Sequence, residues 1–569
     1  MLFRALASDY DGTLARDGNT DDLTRQALRD FKAAGKRLIL VTGRELADLR
    51  AVFDCSGYFD AVVAENGAVL YLPAAEEERA LAPAPPERFV AALRAKRVLP
   101  LSVGRSVIAT WSPNEGVMID TIRELNLDWQ LTFNKGAVMC LPPGVTKASG
   151  LAAALAELKL SVHNVVGVGD AENDQAFLSM CGCSVAVANA LEVIKENADI
   201  ETRAARGAGV TELIERWIAD EAGLFAGVRR HDLYLGDSVS DRMAVSLPSD
   251  RGAILIVGSS GVGKTTLTHL LIERMIAGGY QVCIVDPEGD YDKLEGLAHL
   301  GDVTRAPAPE EVSSVLDSPR AGAVVNLLGV DVQDRPQYFG KLLGEISGMR
   351  AAAGRPHWLV LDETHHLSPN TQDVQHTPLP DNLSSAIFIT TRPDNLSPSA
   401  LRRVRTVVAV GEAARQVLDD FGRAVGETVP PLGRPMPAET VLVWERGSDR
   451  PPRIVAVGKA KQTHRRHTRK YAEGRLGEDK SFFFRGPAGA LNLRAFNLAT
   501  FLQLAEGVDD ATWLFHLERG DYSRWFRDAI KDDQLAAEAQ AVESSHDAAD
   551  SRAEIAGAVK RRYVAAYLE

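Results

Sequence analysis

The chain has 569 residues, 45% hydrophobic and 25% charged. These are the proportions of ordinary globular proteins, and they exclude a mainly disordered, collagen-like or disulfide-scaffold chain. Lys and Arg number 64 against 77 Asp and Glu, a net charge of −13 that argues against a surface built throughout for nucleic acid.

At roughly one domain per 150 residues, about three or four domains are expected. The five cysteines, at positions 55, 140, 181, 183 and 283, show no paired CxxC spacing and read as buried thiols. Acid appears as early as Asp9 and no stretch approaches a membrane-spanning length, so neither a signal peptide, a membrane span nor a membrane partner is expected. The simplest location is the reducing cytoplasm.

In chain order, apolar runs at 2–7, 37–41, 61–64 and 164–168 predict buried strands, and 24–34, 148–158 and 173–180 predict helices. That alternation predicts a parallel α/β sheet over residues 1–220. A Pro/Ala-rich stretch at 81–86 interrupts it and opens an inserted α/β cap, about 82–143. Residues 221–250 carry mixed charge without a firm period and read as a linker. A second α/β pattern occupies 251–458, with strands expected at 253–257, 281–285, 323–326, 357–361, 386–390 and 406–410. The runs 440–444 and 453–457 follow as an expected edge hairpin. Residues 459–470 hold six Lys or Arg and no acid, and read as a solvated basic linker. The segment to 569 is locally rich in aromatics (Phe482 to Phe484, Trp513, Tyr522, Trp525) and reads as the core of a small, mostly helical domain, with a helix start near Asp509. The fold class expected is therefore multidomain α/β with a helical C-terminal part.

Asp9-Tyr10-Asp11-Gly12-Thr13 directly follows an apolar strand. Two carboxylates there sit at the C-terminal edge of a parallel sheet, where α/β ligand sites form. One suits nucleophilic attack on phosphorus and the other proton transfer to the leaving group and from water. A carboxylate and a phosphate dianion repel, so a divalent cation is called for, and oxygen-only ligands suit Mg²⁺.

This pattern resembles the haloacid dehalogenase (HAD) superfamily of phosphohydrolases. The resemblance makes Asp9 the nucleophile and Asp11 the general acid/base. Leu40-Val41-Thr42-Gly43-Arg44 matches the second motif, with Thr42 on a phosphoryl oxygen, and Lys147 matches the third. Gly167-Val168-Gly169-Asp170-Ala171-Glu172-Asn173-Asp174 matches the fourth and implies a Mg²⁺ site drawn from Asp9, Asp11, Asp170, Asn173 and Asp174. Ala64-Glu65-Asn66-Gly67-Ala68 resembles the strand-end motif of the Cof-like, type IIB branch. An Asp at position 11 implies turnover to free phosphate. The short cap resembles those of members acting on phosphoglycolate or sugar phosphates, which makes a small phosphorylated metabolite the expected substrate. Arg105, Asn134 and Lys135 are its candidate substrate contacts.

Gly258-Ser259-Ser260-Gly261-Val262-Gly263-Lys264-Thr265 fits G-x-x-x-x-G-K-[ST], between a predicted strand and a helix beginning at Thr266. The glycines let backbone N–H groups approach phosphates, and the helix N-terminus favours anions. Lys264 is placed for the β/γ-phosphates of ATP and Thr265 for Mg²⁺. Trp358-Leu359-Val360-Leu361-Asp362-Glu363 resembles a Walker B strand, with Asp362 on Mg²⁺ and Glu363 polarising the attacking water. The segment 285–291 and the Thr390-Thr391-Arg392 strand end resemble the HerA/FtsK-type ATPases. Arg402, Arg403 and Arg405 are candidates for a trans-acting arginine finger, which requires an oligomer. His365-His366, read as adjacent strand residues facing opposite ways, is not expected to form a metal pair.

The leading expectation is a Mg²⁺-dependent phosphomonoesterase fused to an ATP-hydrolysing P-loop domain. The alternative is a HerA/FtsK-type ATPase that remodels nucleic acid or a protein partner, with the HAD part ancillary. A nucleic-acid partner is not favoured, because no HerA-like N-terminal barrel precedes the ATPase core.

Overall fold

The computed structural model describes residues 3–134, 136–370, 379–380, 383–433, 435–458, 476, 480–487, 489, 491–530, 532–544 and 547–564. The N-terminal body is an eight-stranded sheet in the order Ile200–Glu201, Cys183–Ala186, Val165–Gly169, Ala5–Ser8, Arg37–Val41, Ala61–Ala64, Val69–Leu72 and Glu77–Ala80. The first six strands run parallel and the last two antiparallel. The Val, Ile, Leu and Ala runs of its central strands are buried, because helices cover both faces. The chain leaves Ala5–Ser8 toward one side of the sheet and returns to Val165–Gly169 on the other. Such a switch point opens a crevice at the strand ends. The register pairs Ser8 with Val168, so Asp9 and Asp170 emerge side by side.

Between these halves a four-stranded antiparallel sheet, ordered Ser102–Val103, Ile108–Trp111, Ala137–Leu141 and Gln130–Asn134, carries helices Glu87–Ala95 and Glu115–Glu124. Its small core includes Phe89, Leu93, Ile108, Met118 and Val138.

The middle body is an eleven-stranded sheet. Val404–Val410, Ala253–Val257, Ala386–Thr390, Trp358–Leu361, Val282–Asp286, Gly322–Asn326 and Leu297–Leu300 are parallel. Thr440–Glu445, Arg453–Val457, Leu233–Ser238 and Ala244–Leu247 extend it antiparallel on one side. The hairpin expected at the edge is therefore internal. The edge comes from the stretch read as a linker, which forms the helix Glu221–Phe225 and two strands. Its alternation is hidden by a register shift between Tyr234 and Gly236. Gly236 is required there, because a Cβ would lie 2.2 Å from the Ala456 carbonyl oxygen.

The C-terminal body pairs Phe482–Phe484 with Leu493–Ala495 and packs helices Leu498–Gly507, Asp510–Glu518, Asp521–Asp528, Asp533–Val542 and Ala548–Val559. Asp509 caps its helix by accepting the Thr512 N–H at 2.8 Å. The aromatic enrichment is core: Trp513 and Tyr522 are buried and stacked, with centroids 4.4 Å apart. The basic stretch 459–470 lies outside the described residues. Among the described residues, no helix is long and apolar enough to cross a membrane.

The two sheets meet at their N-terminal edges. His163 and Asn164 precede one central strand, and Tyr280, Gln281 and His357 precede two of the other sheet. His357 Nδ1 accepts the Gln281 N–H at 2.7 Å, and its Nε2 donates to Asn164 Oδ1 at 3.0 Å. Asn164 Nδ2 donates to the Gly354 carbonyl at 3.2 Å, and Arg355 to the Lys159 carbonyl at 2.9 Å. His163 stacks on Tyr280 at 4.0 Å, and His231 Nδ1 meets the Tyr280 hydroxyl at 3.1 Å. Burial lowers the pKa of all three histidines, His231 to about 3; His163 and Arg230 reinforce this at His231, and His163, His231, Arg355 and Arg350 at His357.

Each folded-state value lies below that of the unfolded chain, near 6.5, so the unfolded chain binds more protons below that pH. Stability carried by the seam is thus present above pH 6.5 and is lost on acidification. The apparent Tm should fall between pH 7 and pH 5, where most carboxylates are still ionised. A Tm independent of pH over that window contradicts a neutral histidine seam.

Candidate active sites

The first site is assembled at the ends of four elements. The Asp9 N–H donates to the Val168 carbonyl at 3.0 Å, which fixes its strand end against the neighbouring one. Thr42 is buried at the end of Arg37–Val41. Lys147 begins the helix Lys147–Glu157, whose Thr146 and Ser149 cap each other reciprocally. That helix approaches the Ala64–Ala68 turn without clearance: a Cβ on Gly150 would lie 2.5 Å from Gly67 Cα. Only glycines at both positions let the lysine enter at this depth.

The Lys147 ammonium lies 2.6 Å from Asp9 Oδ1 and 2.6 Å from Asp174 Oδ1. The three side chains are 1%, 6% and 0% exposed. Asp174 Oδ2 accepts the N–H groups of Asp170 at 2.9 Å and Ala171 at 3.0 Å, so it shapes the turn that presents Asp170. Asp170 Oδ1 accepts from the Thr13 hydroxyl at 3.1 Å. Oxygens of Asp9, Asp170 and Asp174 lie within 4.8 Å of one another. Burial, then Asp174, pushes the Asp9 carboxyl up to about 8. Burial opposes the charge on Lys147, but Asp174 and Asp9 outweigh it and hold that pKa above its ordinary value.

Three buried carboxylates against one ammonium leave negative charge that a cation would neutralise. Asn173 adds a donor atom: its Nδ2 bonds Asn66 Oδ1 at 3.2 Å, while its Oδ1 is buried with no hydrogen-bond partner among the described residues. An all-oxygen set of this kind fits Mg²⁺.

Asp11 stands apart from that cluster. Arg44 grips it with two hydrogen bonds, Nε to Oδ2 at 2.6 Å and Nη2 to Oδ1 at 2.7 Å. Arg44 is also tied to Thr42, whose hydroxyl accepts the Arg44 N–H at 3.1 Å. The cap is fastened by acids of the core. Glu65, at φ +50°, accepts the N–H groups of Arg105 at 3.0 Å and Ser106 at 2.9 Å. Glu45 accepts from the Ser102 hydroxyl. The Arg105 guanidinium is paired with Glu78 at 2.6 Å rather than turned to the strand ends. Lys135 and the Asn134 side chain lie outside the described residues. Sequence reasoning assigned no role to Arg44 or Glu65, though both lie within or beside recognised motifs.

The second site lies at the C-terminal edge of the other sheet. Gly261 and Gly263 take left-handed φ values of 86° and 103° between Ala253–Val257 and the helix Lys264–Ala277. A Cβ on Gly258 would lie 2.4 Å from the Val410 carbonyl oxygen. Lys264 donates to the Gly258 and Ser259 carbonyls at 2.9 and 3.0 Å. Thr265 and Thr266 occupy the first turn, and Thr266 borders a cleft of about 760 Å³ with Val262, Leu267, Met436 and Pro437.

Asp362 and Glu363 follow Trp358–Leu361, and Ala386–Thr390 lies between that strand and the P-loop strand. Glu363 sits at φ +38°, its Oε2 3.3 Å from His365 Nδ1. The same nitrogen is 3.2 Å from the Thr390 hydroxyl, so His365 links the carboxylate to the intervening strand. Burial, reinforced by Glu288, pushes Glu363 up to about 7; burial with Glu363 alongside also raises Asp362. The two histidines do not face opposite ways. Thr364–His366 is a 3₁₀ turn, not a strand, and their ring centroids are 4.2 Å apart. Arg403 is committed to the Leu379 and Pro380 carbonyls, at 3.0 and 2.7 Å, while Arg402 and Arg405 are exposed.

Comparison with known proteins adds two families. Residues 6–93 and 118–214 match the haloacid dehalogenase-like hydrolases, and residues 251–352 match the central domain of helicase HerA. A phosphoglycolate phosphatase of Methanothermobacter thermautotrophicus is 34% identical over 224 residues, 38% of this chain and 99% of that protein. Phosphoglycolate phosphatase 2 of Saccharolobus solfataricus is 30% identical over 226 residues, 38% of this chain and 94% of that protein. A solved haloacid dehalogenase-like hydrolase from Bacteroides thetaiotaomicron has a TM-score of 0.33 at 20% identity, covering 38% of this chain and 99% of that one. With its four motifs gathered in one crevice, three at strand ends and one at a helix start, the chain belongs to the haloacid dehalogenase-like hydrolases through its N-terminal body, and it carries a HerA-type P-loop ATPase domain in its middle.

Proposed function

We propose that the N-terminal body is a Mg²⁺-dependent phosphomonoesterase acting on a small ester of the phosphoglycolate or sugar-phosphate kind, and that the middle body binds and hydrolyses ATP. The observation that carries the first part is the Lys147 ammonium held between Asp9 and Asp174 beside Asp170. Asp9 attacks phosphorus, the bond from phosphorus to the ester oxygen breaks, and Asp11 protonates the departing alkoxide. Asp11 then takes a proton from water, whose oxygen attacks the aspartyl-phosphate and releases phosphate and Asp9. Thr42 and Lys147 hold phosphoryl oxygens through this transfer. Asp9, Asp170 and Asn173, with Asp174 shaping their turn, would hold Mg²⁺, which supplies charge neutralisation for the meeting of two anions. A cap fastened by Glu45 and Glu65 leaves room for a compact leaving group and excludes bulk water.

At the second site, Lys264 serves the β/γ-phosphates, Thr265 and Asp362 hold Mg²⁺, and Glu363 polarises the attacking water. All five cysteines are buried free thiols, which fits a reducing, cytoplasmic setting. The HerA-type match favours a second reading, remodelling of nucleic acid or a protein partner by the ATPase. ATP turnover stimulated by double-stranded DNA supports that reading, and DNA-insensitive turnover supports the first.

Asp9→Asn should lower hydrolysis of p-nitrophenyl phosphate and phosphoglycolate by at least about a thousandfold, with ATP turnover unchanged. Equal loss of both activities in a folded variant contradicts two separate sites. Lys264→Ala should weaken ATP binding by about tenfold or more, because a charge-assisted contact contributes about 1.5–3 kcal/mol. An unchanged affinity in a calorimetric titration rejects the P-loop assignment.

A further inference from the structure

The ATPase site gathers acids. Asp286 ends one strand, with Glu288 and Asp290 just beyond it, and Asp362 and Glu363 follow the neighbouring one. A nucleotide triphosphate adds further negative charge, so the site needs cations. The P-loop itself supplies Lys264. Of the three candidate finger arginines, Arg403 donates to two backbone carbonyls, and Arg402 and Arg405 are exposed.

A second ammonium arrives from the C-terminal body. Lys480 is paired with Glu288 across 192 residues of sequence. Both ends of this contact are held in place. Asp286 accepts the N–H groups of Glu288, Gly289 and Tyr291 at 3.1, 2.7 and 3.0 Å, which folds the turn that presents Glu288. The Lys480 carbonyl accepts the Trp525 indole N–H at 2.9 Å, and two residues on Phe482 stacks against Tyr522 in the aromatic core. The Lys480 side chain is 33% exposed and Glu288 18%, so the pair lies at the mouth of the site and is open to exchange. Glu288 follows the strand beside the one that leads into Asp362 and Glu363, so its partner Lys480 stands at the same sheet edge as the P-loop. A γ-phosphate between Lys264 and the water at Glu363 therefore lies in a region that already feels Lys480. The long, flexible lysine stem lets the ammonium follow the stronger anion.

We propose that the C-terminal helical body completes the nucleotide site in cis, transferring the Lys480 ammonium from Glu288 to the γ-phosphate of ATP. This rests on ATP turnover at the P-loop. In that reaction the water oxygen bonds to the γ-phosphorus, its proton passes to Glu363, and the β–γ bridging oxygen leaves on ADP with the bonding electron pair. Lys480 adds positive charge at the transferring group, where preorganised cations act most strongly. It also ties the docking of the C-terminal body to the nucleotide, because ATP opens an ion pair between the two bodies.

The test uses the full-length chain with Mg²⁺ and ATP, comparing wild type, Lys480→Met and Lys480→Arg. The Met variant should lose about tenfold or more in kcat, with KM changed less than about threefold, and Arg should restore kcat to within about threefold of wild type. p-Nitrophenyl phosphate hydrolysis should be the same in all three. Near-ultraviolet circular dichroism of the Trp513–Tyr522–Trp525 cluster reports that the C-terminal body is folded; if the Met variant loses that signal, Lys480→Gln replaces it. A wild-type kcat in the Met variant overturns the proposal. So does an equal loss in the Met and Arg variants, which marks a purely structural contact. A wild-type chain that binds ATP but never hydrolyses it overturns the ATPase reading instead, and the role of Lys480 falls with it.

Discussion

The buried Lys147 ammonium is the constraint around which the phosphatase site is arranged. Its two carboxylate partners, Asp9 and Asp174, come from different strand ends, and each is almost fully removed from water. Taking one partner from a buried pair leaves a charge without compensation, at a cost of about 3–5 kcal/mol. Asp174 is therefore both a counter-ion and a scaffold, since its other oxygen holds the N–H groups that shape the Asp170 turn. The capped helix start, the glycine contact at Gly67 and Gly150, and the strand register all serve to bring one lysine to this depth. If the helix retreats by an ångström, the ammonium no longer reaches both acids.

The seam between the two sheets sets how the two activities relate. It is built from residues that precede strands, whereas both sites are built from residues that follow them. Four or five residues of strand span about 15 Å, so the two sites lie at opposite ends of the joined sheets, on the order of 30 Å apart. No product passes directly from one to the other. Any coupling has to travel through the rigid strands and the histidine seam or by way of the C-terminal body. The neutral, stacked rings of the seam favour the second route, because nothing in them changes charge when a phosphate binds far away.

The sequence made legible what is local. A motif at a strand end, such as Asp9 to Thr13 or Gly258 to Thr265, carries its geometry in a few consecutive residues; the strand before the second is Ala253–Val257 as expected, and the one before the first, expected at 2–7, is Ala5–Ser8. Contacts between distant segments were not legible. Lys480 stands in a stretch with no motif, and nothing local announces that its ammonium reaches Glu288. Arg44 sits inside a recognised motif, yet its grip on Asp11 depends on how two loops meet. The strands Leu233–Ser238 and Ala244–Leu247 were read as linker because Gly236 and the surrounding charges break the alternation that identifies a strand. His365 and His366 were assigned strand geometry, when one 3₁₀ turn brings their rings together.

The same economy recurs at both sites. The cations assigned to phosphate have protein acceptors: Lys147 on Asp9 and Asp174, Lys264 on the Gly258 and Ser259 carbonyls, and, in the role we propose for it, Lys480 on Glu288. A cation held this way is already positioned and partly desolvated. A phosphate oxygen then exchanges one acceptor for a stronger one, rather than stripping water from a free charge and freezing a mobile side chain.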